Sequence, residues 1–262
     1  METGPRTRVQ LEARGSVRTV RLHHPPLNAF DSAMRSELAE VARDLTDASD
    51  VGAVVLYGGE RAFAAGADIH ELADMGYEQI HHWNRAMQRT LDQFARLPMP
   101  VVAAISGNAL GGGLELALAA DYRVADPGAQ LGLPEVLLGI MPGSGGTQRL
   151  SRLVGPAKAK AIMMTGRRLD AAEAHAIGLV DQLSADGQVY EAALDYATRL
   201  AAGPRYAIQA IKQAVDHGTD ASMAAGLALE HAAISGLFAT ADKDTGMQSF
   251  LADGPGHARF GD

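Results

Sequence analysis

The sequence predicts an α/β protein in which short strands and helices alternate through the first three quarters and helices alone form the end. Three observations carry this reading. Ala53-Val54-Val55-Leu56-Tyr57 and Val101-Val102-Ala103-Ala104-Ile105 are continuous apolar runs, as in strands covered on both faces. Strand, glycine loop and helix recur near 54–75 and again near 102–120, a hint of repeating turns of similar build. From Gln148 onward the apolar residues keep almost wholly helical spacing, with Leu194, Leu200, Ile208, Ile211, Val215, Leu227, Ile234, Phe238 and Phe250 on apolar faces.

Taken in order, Val9–Ala13 and Val17–Leu22 alternate apolar and polar residues, the pattern of half-buried strands, with Arg14-Gly15 as the turn between them. Asp31 then caps a helix to about Asp47, whose apolar face is Met34, Leu38, Val41 and Leu45. The loop from Glu60 to Asp68 leads into helical segments that Pro98 and Pro100 stop after Leu97. Gly111-Gly112-Gly113 opens a helix to about Ala120, and Tyr122–Ala125 reads as a further strand. Glycine-rich stretches follow around Gly132 and from Gly139 to Gly146, and a short strand is expected at Leu179-Val180-Asp181. No low-complexity tract or long linker divides the chain.

Composition limits the function. The 262 residues are 47% hydrophobic and 21% charged, enough for a large core without a staple. With no cysteine, disulfides, thiol nucleophiles and thiolate metal sites are excluded. A net charge of −8 argues against a general nucleic-acid or membrane-surface binder. The stretch from Pro100 to Ala120 is too interrupted by polar residues and glycines to span a bilayer, and the N-terminal stretch has no apolar leader, so the expectation is a cytoplasmic protein.

Two segments join a buried strand to glycines and a helix start: Phe63–Asp68 and Asn108–Glu115. Taken singly, each is most simply a tight turn. Taken together, two amides converging from neighbouring strands would make an oxyanion hole. Glu115 is the odd residue, a carboxylate in the apolar run Leu114–Ala120. Burial raises a carboxyl's pKa toward the range useful for proton transfer, unless a structural partner compensates it. Glu135 is a second acid in an apolar loop, and two acids facing one centre can move protons on both sides of it.

Phe63-Ala64-Ala65-Gly66-Ala67-Asp68-Ile69, Ala109–Ala117 and Pro134–Arg149 closely resemble the enoyl-CoA hydratase/isomerase (crotonase) family. The likeness extends to Pro26-Leu27-Asn28, Thr165-Gly166, Ala171–Ala174, Gly178-Leu179-Val180, Gly246-Met247 and Phe250. It implies a ClpP/crotonase spiral of ββα turns over residues 1–195 and a helical trimerisation region over 196–262. It implies the N–H groups of Ala67 and Gly112 as the oxyanion hole and Glu115 and Glu135 as the catalytic pair, Glu115 on water and Glu135 on the C2 proton. Ala65, Asp68 and Ile69 fall along the CoA, His70 stands where many hydratases carry a lysine near it, and Gly143 lies near the catalytic water.

The activity so implied is reversible syn hydration of trans-2-enoyl-CoA in fatty acid β-oxidation or related acyl-CoA metabolism, with no cofactor beyond the substrate's own CoA. A homotrimer or a homohexamer (dimer of trimers) is the implied assembly. A Δ3,Δ2-enoyl-CoA isomerase is the alternative within the fold, disfavoured by the second carboxylate. A non-catalytic CoA-ester- or RNA-binding homologue is the alternative from another class. Its RNA branch is opposed by the net charge and by a Gly76–Leu97 helix with three arginines and no lysine comb. Leu251–Gly256 replaces the family's basic cluster, leaving Arg21, Arg61 and Arg259 as substitutes for phosphate contacts.

Other patterns carry less. The pairs His23-His24 and His81-His82 point to different faces, so no metal site is expected. Pro142 spoils Ser144 as a nucleophile elbow, and Glu115 stands where a dinucleotide fingerprint needs its third glycine. Met75, Trp83 and Met87 read as core, with an acyl-tail pocket as the competing role.

Overall fold

The computed structural model describes residues 6–260. β1 (Val9–Arg14) and β2 (Val17–Leu22) pair antiparallel, as their alternation predicts. β3 (Ala53–Tyr57) adds parallel to β2. The next strand in sequence, β4 (Ala62–Ala64), leaves this sheet and starts a second one. The chain repeats the manoeuvre twice: β5 (Val101–Ile105) returns to the large sheet and β6 (Asn108–Leu110) to the small one, then β7 (Tyr122–Ala125) and β8 (Gln130–Gly132) do the same. β9 (Arg168–Asp170) and β10 (Gln182–Leu183) complete the orders β4-β6-β8-β9 and β1-β2-β3-β5-β7-β10. This is the spiral of ββα turns, with α2 (Ile69–Ala73) after β4 and α4 (Gly112–Ala117) after β6.

The continuous apolar runs are explained by what covers them. One face of β3 and β5 (Val54, Leu56, Val101, Ala103, Ile105) enters the main core with Met34, Leu38, Val41 and Leu45 of α1 (Ser32–Asp47). Met87, Leu91 and Phe94 of α3 (Tyr77–Ala95) join them. The other face (Val55, Tyr57, Val102, Ala104) meets Val189, Ala193, Leu194 and Ala197 of α8 (Val189–Ala201). Burying each such aliphatic side chain contributes about 1.5–3 kcal/mol, so a helix is needed on each side. The expected break after residue 195 falls inside α8, which the sheet holds.

After α5 (Gly146–Val154), α6 (Pro156–Thr165), α7 (Ala171–Ala176) and α8, the chain ends in α9 (Arg205–Thr219), α10 (Met223–Leu237) and α11 (Ala241–Asp253). None of the residues in these last three helices is buried. Ile211 and Val215 sit on an apolar face of α9, as expected, while α10 and α11 gather their apolar residues on no single face; all six of Ile211, Val215, Leu227, Ile234, Phe238 and Phe250 are open to solvent. No single described helix is long and apolar enough to cross a membrane.

Three differences from the sequence expectation have physical reasons. β4, β6 and β8 are three residues each, too short for a period of two to be visible. The strand expected at Leu179–Asp181 forms instead at Gln182-Leu183, because the amides of Leu179 and Val180 both return to the carbonyl of Ala174 and close the end of α7. α4 ends at Ala117 rather than Ala120, its last carbonyls being taken by the tighter bonds Ala119 N–H to Leu116 and Ala120 N–H to Ala117.

Candidate active site

The site begins with a strip of backbone. Residues 65–68 are zipped to residues 27–30: Ala65 N–H donates to Leu27 O at 2.9 Å, Phe30 N–H to Gly66 O at 2.8 Å, and Asp68 N–H to Phe30 O at 3.0 Å. Asn28, buried at φ +55°, anchors the strip from below, its amide donating to Gly58, Ala62 and Phe63 carbonyls. The two ends of a trans peptide point in opposite directions. With the Gly66 carbonyl held by Phe30, the N–H of Ala67 in the same peptide unit is aimed away from it, toward α4.

Gly66 makes that approach feasible. Its φ is +100°, and a Cβ there would stand 2.9 Å from the Leu110 carbonyl. Across the gap Gly112 opens α4, so its amide is one of those with no acceptor inside the helix. A Cβ on Gly112 would lie 3.8 Å from Ala67 N and one on Gly66 3.3 Å from Gly112 N, so the two amides are close neighbours. Gly113 seats the helix directly on β4, since a Cβ there would come within 2.2 Å of Ala64 O.

Both carboxylates reach this place. Glu115, on the first turn of α4, is 2% exposed. Its Oε1 accepts the N–H of Ser144 at 2.7 Å and that of Gly146 at 2.8 Å. Burial pushes its pKa up, while those two bonds and the positive charge of Arg149 oppose the rise. Glu135 begins a 3-10 turn, Glu135–Leu138, and a Cβ on Gly111 would stand 3.2 Å from its Oε1. Its Oε2 is buried without a hydrogen-bond partner. Burial raises its pKa to about 7; its own backbone N–H opposes this and the charge of Glu115 adds to it.

Glu115, Glu135, Ala67 and Gly112 all line one cavity of about 710 Å³. Ala65, Ile69 and Gly143 line it too, as expected. Asp68 and His70 do not: the Asp68 carboxylate caps α2 through the N–H of His70, and His70 is exposed. Trp83 and Met87 are buried and also line the cavity, so core and pocket are the same residues here. Leu72 and Ile80 extend that apolar wall, and Ile69, Tyr77, Leu138, Ile140 and Met141 make an exposed apolar rim. The suggested phosphate partners Arg21, Arg61 and Arg259 are not among the lining residues, whereas Arg85 is. Arg21 is instead paired with Glu12 at 2.6 Å and lies over the Tyr57 ring. Among the described residues no group of His, Asp and Glu is placed to hold a metal ion.

Asn84, Gln88, Ser144 and Arg149 at the site were not singled out as site residues from sequence. Their links to Glu115 and Gly143 cross more than 25 residues, and only Ser144 carried any local signal, for a different chemistry.

Comparison with known proteins agrees with this fold. The family described as enoyl-CoA hydratase/isomerase matches residues 12–257. A Rhizobium meliloti protein named "Probable enoyl-CoA hydratase" is 40% identical over 243 residues, 92% of this chain and 94% of its own. The crystal structure of enoyl-CoA hydratase from Bacillus anthracis superposes with a TM-score of 0.91 at 37% identity, covering 94% of this chain and 96% of that one. Pseudomonas aeruginosa DspI superposes with a TM-score of 0.92 at 32% identity over 96% of each chain. With its spiral, its paired amides and its match over nearly the full length, this chain belongs to the enoyl-CoA hydratase/isomerase family.

Proposed function

We propose that this protein is an enoyl-CoA hydratase, adding water reversibly to trans-2-enoyl-CoA to give 3-hydroxyacyl-CoA. The observation that carries the reading is that Glu115, Glu135, Ala67 and Gly112 all line one cavity. Glu115, held by Ser144 and Gly146, orients a water beside Gly143 and takes its proton as the oxygen bonds to C3. The C2=C3 electrons shift toward the thioester, and the oxygen that gains the charge is met by Ala67 and Gly112 N–H. Such donors are worth about 10²–10³ in rate each. Glu135 then gives its proton to C2 and the carbonyl re-forms. Proton exchange with solvent resets the pair.

The CoA arm would follow Ala65–His70 to the rim, and the acyl chain would lie against Leu72, Ile80, Trp83 and Met87. The reaction would serve β-oxidation or related acyl-CoA metabolism in the cytoplasm. The open apolar residues of α9–α11 support a homotrimer or a dimer of trimers, since burying Phe238, Ile234 and Leu227 against a second copy removes them from water. Light scattering should give three or six copies, and Phe238→Lys should lower that number; a wild-type monomer would contradict the assembly.

The test of the activity follows loss of enone absorbance with a short and a long 2-enoyl-CoA. Wild type should turn over at least one of them, and Glu115→Gln and Glu135→Gln should fold and bind the thioester while hydration falls by orders of magnitude. Near-wild-type turnover in both variants would refute the reading.

A further inference from the structure

The carboxylate at Glu115 accepts two N–H groups from a loop, and the position of that loop is itself controlled. Ser144 N–H, the closer donor at 2.7 Å, shares its peptide unit with the carbonyl of Gly143. That carbonyl accepts two side-chain amides from α3, Asn84 Nδ2 at 3.0 Å and Gln88 Nε2 at 2.6 Å. Asn84 and Gln88 are four residues apart, so they stand one above the other on a single helix face. Asp92, four further on, meets Arg149 at 3.4 Å, and Arg149 reaches the Ser144 carbonyl at 3.4 Å. One stripe of α3 therefore meets the 143–149 segment twice, at the Gly143 carbonyl and, through Asp92, at the Arg149 side chain.

We propose that Asn84 and Gln88 are positioning residues of the hydration reaction: by holding the Gly143 carbonyl from α3, they aim the Ser144 N–H of the same peptide unit at Glu115. The physics is that already met at Gly66–Ala67, where Phe30 holds the carbonyl and the N–H faces the cavity. Without the two amides the Gly143–Ser144 peptide is held only by the Glu115 bond itself, and Gly143 on one side of it opposes rotation weakly. Donors on the carbonyl also polarise the peptide and strengthen its N–H as a donor. The ionised form of Glu115, which takes the water's proton, loses support when they are removed.

This rests on the proposed acid–base role of Glu115, and the experiment separates the two. Asn84→Leu and Gln88→Met keep side-chain size and remove the donors; each is made alone and together. Hydration is measured across pH beside Glu115→Gln. The double variant should lose about five- to twentyfold in kcat, two modest hydrogen bonds' worth. Its KM should change less, and the acid limb of its pH profile should move upward. Gln88 is exposed, so Gln88→Met should fold as wild type and show a smaller shift in the same direction even if the double variant fails to fold. An unmoved acid limb, or a change in KM alone, overturns the proposal. If Glu115→Gln is inactive while Gln88→Met and the double variant match wild type, only the positioning role fails. If Glu115→Gln keeps turnover, the role of Glu115 fails and this one with it.

Discussion

Glu115 and Glu135 face the same cavity from different kinds of structure. Glu115 projects from a helix seated on β4, is almost fully buried, and has two backbone N–H groups on one oxygen. Glu135 projects from a short turn in a loop, is only partly buried, and has one oxygen with no partner. Taking a carboxylate out of water costs several kcal/mol, and each charge-assisted hydrogen bond returns about 1.5–3 kcal/mol. Glu115 has two such bonds set against its burial, which still raises its pKa; Glu135 has only its own backbone N–H. Burial pushes both carboxyls up; the two N–H bonds and Arg149 oppose the rise at Glu115, and the charge of Glu115 adds to the rise at Glu135. For the proposed hydration, this contrast suits Glu115 to the role of base and Glu135 to that of acid.

The largest effect expected from breaking this contrast is on turnover. Glu115→Gln should cost about 10³-fold or more in kcat, and Glu135→Gln somewhat less, since general acid catalysis alone contributes about 10²–10⁴-fold. Steady-state rates with folded variants check the order. Equal and small losses in both would remove the division of labour.

A smaller effect is expected on stability, with its sign fixed by linkage. Glu135 holds its proton more tightly in the folded chain than in the unfolded one, so stability falls as pH rises from the ordinary carboxyl range through about 7. Glu135→Gln removes that penalty. Discounted for partial exposure, it should unfold about 1 kcal/mol harder than wild type at about pH 8, with no difference at about pH 4. Denaturant melts at the two pH values read this directly.

The contrast was half legible in the sequence. Glu115 announced itself because a charge inside Leu114–Ala120 has no solvent face in any helical register. Gly66 and Gly112 were visible as glycines after buried strands. What held these groups was not. Phe30, which aims Ala67, and Asn84 and Gln88, which hold Gly143, act through bonds to residues 36 or more positions away. No local pattern encodes such a bond. For the same reason β9 was hidden inside a helical stretch: Arg168–Asp170 is a strand only because β8 lies beside it. The last three helices were legible as apolar but not as uncovered, because the pattern tells which residues are apolar and not what meets them.

The most direct test of the account is the pH dependence of kcat/KM for hydration of a 2-enoyl-CoA by wild type and Glu135→Gln. The prediction is a bell for wild type with an alkaline limb near 7, and a low, flat alkaline side in the variant, which has no proton there to lose. An alkaline limb unchanged in Glu135→Gln would assign that proton to another group and contradict the pairing of one ionised and one protonated glutamate.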